Sequence, residues 1–168
     1  PEDWRGWNTP NIPMGHEWVG WATGTTYTYR HPHIVTLSND LVLAAYTRKT
    51  VSSSLEQVGI AKLTTAGVWT WGAAHITPVG SDSHTHSHPC LLQLPSGRIL
   101  LFYWVFDNGD DLGQIQAQYS DDDGTTWALY SKYALNTNVN NAASTGYRLH
   151  RLRAAHNNGQ VLLIAHLV

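Results

Sequence analysis

A strand, a tight turn and a second, more apolar strand occur three times in this chain, and that repeat limits the fold more than any other feature. In the first copy, His31-Pro32-His33-Ile34-Val35-Thr36-Leu37 leads through Ser38-Asn39-Asp40 into Leu41-Val42-Leu43-Ala44-Ala45-Tyr46-Thr47. In the second, His88-Pro89-Cys90-Leu91-Leu92-Gln93-Leu94 leads through Pro95-Ser96-Gly97 into Arg98-Ile99-Leu100-Leu101-Phe102-Tyr103-Trp104. In the third, Leu152-Arg153-Ala154-Ala155-His156 leads through Asn157-Asn158-Gly159 into Gln160-Val161-Leu162-Leu163-Ile164-Ala165. The turns lie roughly 60 residues apart, and four short strands per unit at that period suit a propeller blade. A β-sandwich also has short strands and frequent turns, but the unit-length repeat favours the propeller.

The rest of each unit fits. After the first copy, Gln57 to Leu63 reads as a third strand, and Val68-Trp69-Thr70-Trp71 begins a fourth. After the second, Gly113 to Tyr119 alternates and runs into Ser120-Asp121-Asp122-Asp123-Gly124-Thr125-Thr126-Trp127. Asp-Gly between two such runs is a hairpin signal, because Gly supplies the positive φ of a tight turn. A short carboxylate inside the turn can accept backbone N–H groups that no ladder satisfies. No stretch reads as a helix. Residues 136–144 are polar, Asn-rich and loop-like.

The spacing Ser120, Asp122, Gly124, Thr126, Trp127 resembles the Asp box of the sialidase-like (neuraminidase or BNR) β-propellers. In that family such boxes lie on the rim, away from the active site, so the resemblance makes these five residues structural. It implies an all-β fold, a partial sialidase-like propeller. About two and a half four-stranded blades of a six- or seven-bladed propeller would be present. The expected divisions are an N-terminal loop and strand segment over 1–29, a blade over 30–80, a blade with the Asp box over 81–138, and the start of a further blade over 139–168. So few blades leave apolar sheet faces to be covered by further blades of a longer chain or of other subunits. The opening at Pro1 without Met, and the strand-like end at Val161 to Val168, also suggest a piece of a longer polypeptide.

Composition narrows the partners. The net charge of −2 gives no basis for a general nucleic-acid or membrane-surface binder, and no apolar run is long enough to insert in a bilayer. Charged residues are only 13% of the chain, whereas Trp and Tyr contribute eight each, which suits both a β core and a surface that meets sugars. Cys90 is the single cysteine, so no internal disulfide forms, and its apolar setting makes it a small core hydrophobe. The low Lys count and abundant Thr, Asn and Trp point to an extracellular, cell-surface or virion setting.

The candidate site residues follow from the same resemblance. Tyr29-Arg30-His31-Pro32 is similar to the Phe/Tyr-Arg-Ile-Pro motif of many sialidases, with His31 where Ile is usual. There the Arg grips the substrate carboxylate through its planar fork. This implies Arg30 as a substrate-binding residue, with Arg48 as a further member; apart from the resemblance, Arg148, Arg151 and Arg153 form a basic set before the third copy that would reach the same face and bind an anionic sugar. A strand-end Arg snorkelling to solvent is the competing reading for Arg30 and Arg48, and a charged strand edge that resists aggregation is the one for Arg153. Before Pro89, where those enzymes carry an acid/base Asp, this chain has His88, which with His86 is the candidate proton-moving pair. The nucleophilic Tyr and its Glu partner lie in later blades of that family, so the catalytic set is incomplete here.

His86-Ser87-His88-Pro89 is also similar, more distantly, to the His-Asn-x-Pro stretch of propeller polysaccharide lyases, where His and Tyr act on a uronate. His84, His86 and His88 would share one face of an extended strand and are the metal candidates. Steps of about 6–7 Å are wide for one ion, so no metal or other cofactor is expected. The implied function is a carbohydrate-active propeller, of glycoside hydrolase type, whose partner is an anionic glycan. A non-catalytic glycan-recognition or structural module is the alternative, and a lyase the second alternative.

Overall fold

The structure is a computed structural model, and it describes residues 27–50, 56–63, 67, 69–71, 85–106, 113–130 and 149–167. Among these there is no helix. Strands β1 (Tyr27–Thr36), β2 (Val42–Thr50), β3 (Glu56–Leu63) and β4 (Trp69–Trp71) form one antiparallel sheet in sequence order. A second has the same order: β5 (Thr85–Gln93), β6 (Ile99–Phe106), β7 (Gly113–Ser120) and β8 (Ala128–Leu129). Strands β9 (Leu149–Asn157) and β10 (Gln160–Leu167) pair as a third. The first strands of the three sheets lie side by side, β5 packing between β1 and β9.

Turn chemistry sets the hairpins. In the second sheet Leu94 N donates to Arg98 O at 2.8 Å and Gly97 N to Leu94 O at 2.9 Å, with Gly97 at φ 89°. In the first, Leu37 N donates to Leu41 O at 2.7 Å and Asp40 N to Leu37 O at 3.0 Å, with Asp40 at φ 64°. Both are three-residue loops closed by a left-handed residue, a position Asp fills less easily than Gly. The third hairpin closes over Asn158 and Gly159, both with positive φ, as a two-residue loop of the kind that matches strand twist.

The core lies between the sheets. Every residue from Ile99 to Val105 is buried. Ile99, Leu101, Tyr103 and Val105 face the first sheet, packing with Leu43, Ala45, Val58 and Ile60. Leu100, Phe102 and Trp104 face the third sheet, packing with Leu152. A strand covered on both faces has no polar side, which is why β6 reads as an unbroken apolar run. Strand β10 is covered on one face only: Val161, Leu163 and Ala165 pack inward, while Leu162 and Ile164 are 61% and 57% exposed.

The Ser120–Trp127 turn fastens the second sheet to the first. Ser120 Oγ donates to Asp122 Oδ1 at 2.8 Å and accepts from Gly124 N at 2.8 Å. Asp122 accepts from Thr126 N at 2.8 Å and from Thr126 Oγ1 at 2.6 Å. These bonds hold its carboxyl well below the usual range, at about 2. Trp127 Nε1 donates to Gly124 O at 3.1 Å, and its ring packs on the core between the first two sheets. Asp123 Oδ2 accepts from Asn39 Nδ2 at 2.9 Å, and Thr125 Oγ1 from Lys62 Nζ at 3.1 Å. Asp121 grips Arg98 through two bonds of 2.7 Å, and the guanidinium lies 4.3 Å from the Tyr119 ring centre.

Candidate functional site

The site is built on a backbone irregularity that recurs in the first strand of each sheet. Between β1 and β2 the register runs Arg30↔Thr47 and then His33↔Ala45, so His31 and Pro32 together oppose Tyr46. Between β5 and β6 it runs Ser87↔Trp104 and then Cys90↔Phe102, so His88 and Pro89 oppose Tyr103. Pro has no N–H for the ladder, so a bulge is where a strand accommodates it. His31 and His88 sit at φ 51° and 54°. Left-handed backbone at a non-glycine residue costs about 1–3 kcal/mol and is found preferentially at functional sites. In β9 the register slips from Leu149↔Leu167 to Arg151↔His166, which puts the extra residue, His150, at the corresponding position.

The bulges bring the two histidines together. Their rings stack with centres 3.8 Å apart at 25°. Thr47 of the first sheet holds the second bulge, its Oγ1 accepting from His88 N at 3.1 Å and lying 3.5 Å from Ser87 Oγ. A cavity of 380 Å³ opens over the stack, lined by His31 and Pro32 from β1, His88 and Pro89 from β5, and Arg151, Leu152 and Arg153 from β9. Among the described residues the lining carries imidazoles and guanidiniums and no carboxylate. Strand β9 has Arg151 where β1 and β5 have proline at the second bulge position, so the third sheet puts a cation where the first two put an apolar ring.

The structure separates the sequence-predicted residues. His88 and Arg153 line the cavity. His86 does not: it is 3% exposed and meets the Tyr103 ring edge-on at 5.8 Å, in the interface of the first two sheets. The bulge between Ser87 and Cys90 breaks the alternation that would have put His86 and His88 on one face. His84 lies outside the described residues, and no group of three metal-ligating side chains occurs among those that are described. Arg30 is exposed, outside the cavity lining, with Nη1 3.9 Å from Glu56 Oε1. Arg48 is half-buried, outside the lining, and donates from Nη2 to Gln57 Oε1 at 3.0 Å. Arg153 also donates from Nη1 to Leu152 O at 3.0 Å.

Sequence reasoning missed His31, Pro32 and Pro89 as parts of one site, while Arg151 belonged to the basic set it named. The signal was there: a His-Pro pair stands at the same offset before the turn in two copies of the repeat.

Next to the cavity, His33 joins the first two sheets. Its Nδ1 accepts from Leu91 N at 3.2 Å, and its Nε2 lies 3.7 Å from Cys90 Sγ. An Nδ1 acceptor must be unprotonated, so the ring is neutral with the proton on Nε2. Burial, and then the charge of Arg153, lower its pKa below 6.5. Burial likewise pushes the Cys90 thiol up to about 11, which makes it a core side chain and no thiolate nucleophile. The native state binds the His33 proton less readily than the unfolded chain. The stability this contributes is complete above 6.5 and is lost as pH falls toward the lowered folded value. His33→Leu is expected to flatten stability against pH below about 6.5 and to cost about 1 kcal/mol at pH 7.5, read by urea denaturation. An unchanged profile would show that His33 does not couple folding to pH.

No protein-family model matches the chain, and no curated protein matches it. Among solved structures it is similar to a Penicillium chrysogenum alpha-L-arabinanase complexed with arabinobiose, with 16% identity and a TM-score of 0.64 over 84% of this chain. The chain spans 43% of that arabinanase's length. A protein of unknown function from Dyadobacter fermentans is similar at 11% identity and a TM-score of 0.42, over 86% of this chain and 64% of that one. At 16% identity the likeness to the arabinanase is one of fold. The described residues form two four-stranded blades of a β-propeller and the first two strands of a third.

Proposed function

We propose that the cavity over the bulge histidines is a glycan site and that it takes an anionic sugar unit. The observation that carries this reading is its lining, in which Arg151 and Arg153 flank stacked imidazoles and proline rings, with no carboxylate among the described residues. Guanidiniums supply fixed positive charge and paired donors for a carboxylate or sulfate. The flat apolar face of exposed Pro32 offers contact to a sugar ring. The fold shared with an arabinanase supports a carbohydrate as the partner class. The Ser120–Trp127 turn supports the sialidase-like reading, since its internal bonds suit an Asp box that acts as a structural clasp. Glycoside hydrolysis of the usual kind needs two carboxylates facing the scissile bond. Among the described residues no carboxylate lines this cavity, and its cations and imidazoles support recognition of the glycan as the leading function.

The imidazoles beside guanidiniums favour a second reading, namely β-elimination of a uronate. One imidazole of the stack would take the C5 proton while Arg151 or Arg153 neutralises the adjacent carboxylate. The C4–O bond then breaks, its electron pair leaving with the glycosidic oxygen as C4=C5 forms.

Binding of trigalacturonate, compared with a neutral galactotriose, tests both readings by calorimetry and ultraviolet absorbance. Arg151→Gln is expected to weaken trigalacturonate binding about tenfold and to reduce its salt dependence. Equal affinity for the neutral sugar, or no effect of Arg151→Gln, would remove the anionic assignment. Growth of a conjugated uronate absorbance would establish elimination.

A further inference from the structure

The proposal that follows rests on the reading of the cavity as an anion site. We propose that the His31–His88 stack couples that site to protons: an anionic sugar binds together with one proton carried by the stack, while Arg151 and Arg153 supply charge that does not vary with pH.

The geometry argues for one proton and against two. With ring centres 3.8 Å apart, charging both rings would set like charges in contact, so protonation of one disfavours protonation of the other. An anion over the stack stabilises the first charge. The stack does not relax apart easily, because each ring is carried by a left-handed bulge residue followed by proline, and His88 N is tied to Thr47 of the neighbouring sheet. Strain of this kind persists where the surrounding structure over-determines it and is characteristic of ligand clamps.

Among the described residues, most other charged and titratable groups around the stack are held elsewhere. On β1, Arg30 lies toward Glu56 of β3, and His33 is committed to Leu91 N. On β2, Tyr46 has its pKa raised by burial, and Arg48 is committed to Gln57. On β5, His86 is buried against Tyr103 of β6, and Cys90 is a buried thiol. On β9 the arginines keep their charge at every working pH. On β10, His166 is exposed and pairs across from Arg151. None of the described lining residues is an acid that would titrate against the ligand.

The test uses the unmodified chain and trigalacturonate, whose carboxylates stay ionised between about pH 5 and 8. Calorimetry in two buffers of different ionisation enthalpy reads proton uptake on binding directly. The expected result is uptake approaching one proton, with affinity weakening about tenfold per pH unit once the free stack is neutral. His31→Asn together with His88→Asn removes both rings while tolerating positive φ. The double variant should retain weaker, salt-sensitive binding with no proton uptake. Arg151→Gln should weaken binding at every pH and leave the uptake unchanged. Binding with no proton uptake, uptake near two, or uptake that survives in the double variant would each overturn the coupling and leave the anion site standing. No binding of trigalacturonate at any pH would overturn the anion site and the coupling together.

Discussion

Gly124→Ala is expected to destabilise the protein by about 2–3 kcal/mol, a large effect for one added methyl group. Two causes add. Gly124 sits at φ 78°, where an L side chain is strained. A Cβ there would also come within 2.9 Å of Leu43 Cδ1 and 3.3 Å of Leu43 Cδ2. Leu43 is fully buried between the first two sheets, so its methyls have little room to yield. The contact crosses from one blade to the next, so the cost measures how tightly the turn of the second blade seats on the first. Leu43→Ala alone should cost about 2–5 kcal/mol through the cavity it leaves. The double variant should be less destabilised than the sum of the two by about 1 kcal/mol, because removing the leucine methyls makes room for the new one. Urea denaturation of the four proteins gives the cycle. Strict additivity would mean that the turn does not press on Leu43 in solution.

Asp122→Ala should cost about 2 kcal/mol at pH 7, since one carboxylate closes the turn through Ser120 and both the N–H and hydroxyl of Thr126. The sign of its pH dependence follows from the lowered pKa. With a folded value of about 2 against 3.8 unfolded, the native state binds this proton less readily. Its contribution is therefore complete above about pH 4 and is lost as pH falls from 4 toward 2. The group faces solvent, which screens the gain to about 1 kcal/mol of the total. Denaturation midpoints at pH 7 and pH 2.5 separate the two parts: wild type should lose more stability on acidification than Asp122→Ala. Equal losses would show that the carboxylate bonds contribute nothing in solution.

Much of the fold was legible because its signals are local. Period-2 burial, left-handed turn residues and the Ser120–Trp127 spacing each act over a few neighbouring residues, and each can be read along the chain. Even the doubly buried β6 announced itself, as an apolar run with no polar phase. The site was legible only in part. His88 was named for its place in a motif and Arg153 as part of a basic set, and both line the cavity. Arg30 and Arg48 were named for resemblance to a motif, and they point instead to Glu56 and Gln57. His86 fell out because a single extra residue at the bulge inverts which side of β5 each later side chain takes.

The amino-acid sequence by itself determined the blade repeat, the hairpins, the clasp around Asp122 and the apolar content of the interfaces, since these depend on backbone preference and side-chain patterning within one unit. Only the tertiary structure decided that His31 stacks on His88, that Arg151 and Arg153 face them, and that Gly124 must be small for Leu43. Those relations join residues from different blades. Their distances are set by how twisted sheets pack face to face, and no spacing along a single strand encodes that packing.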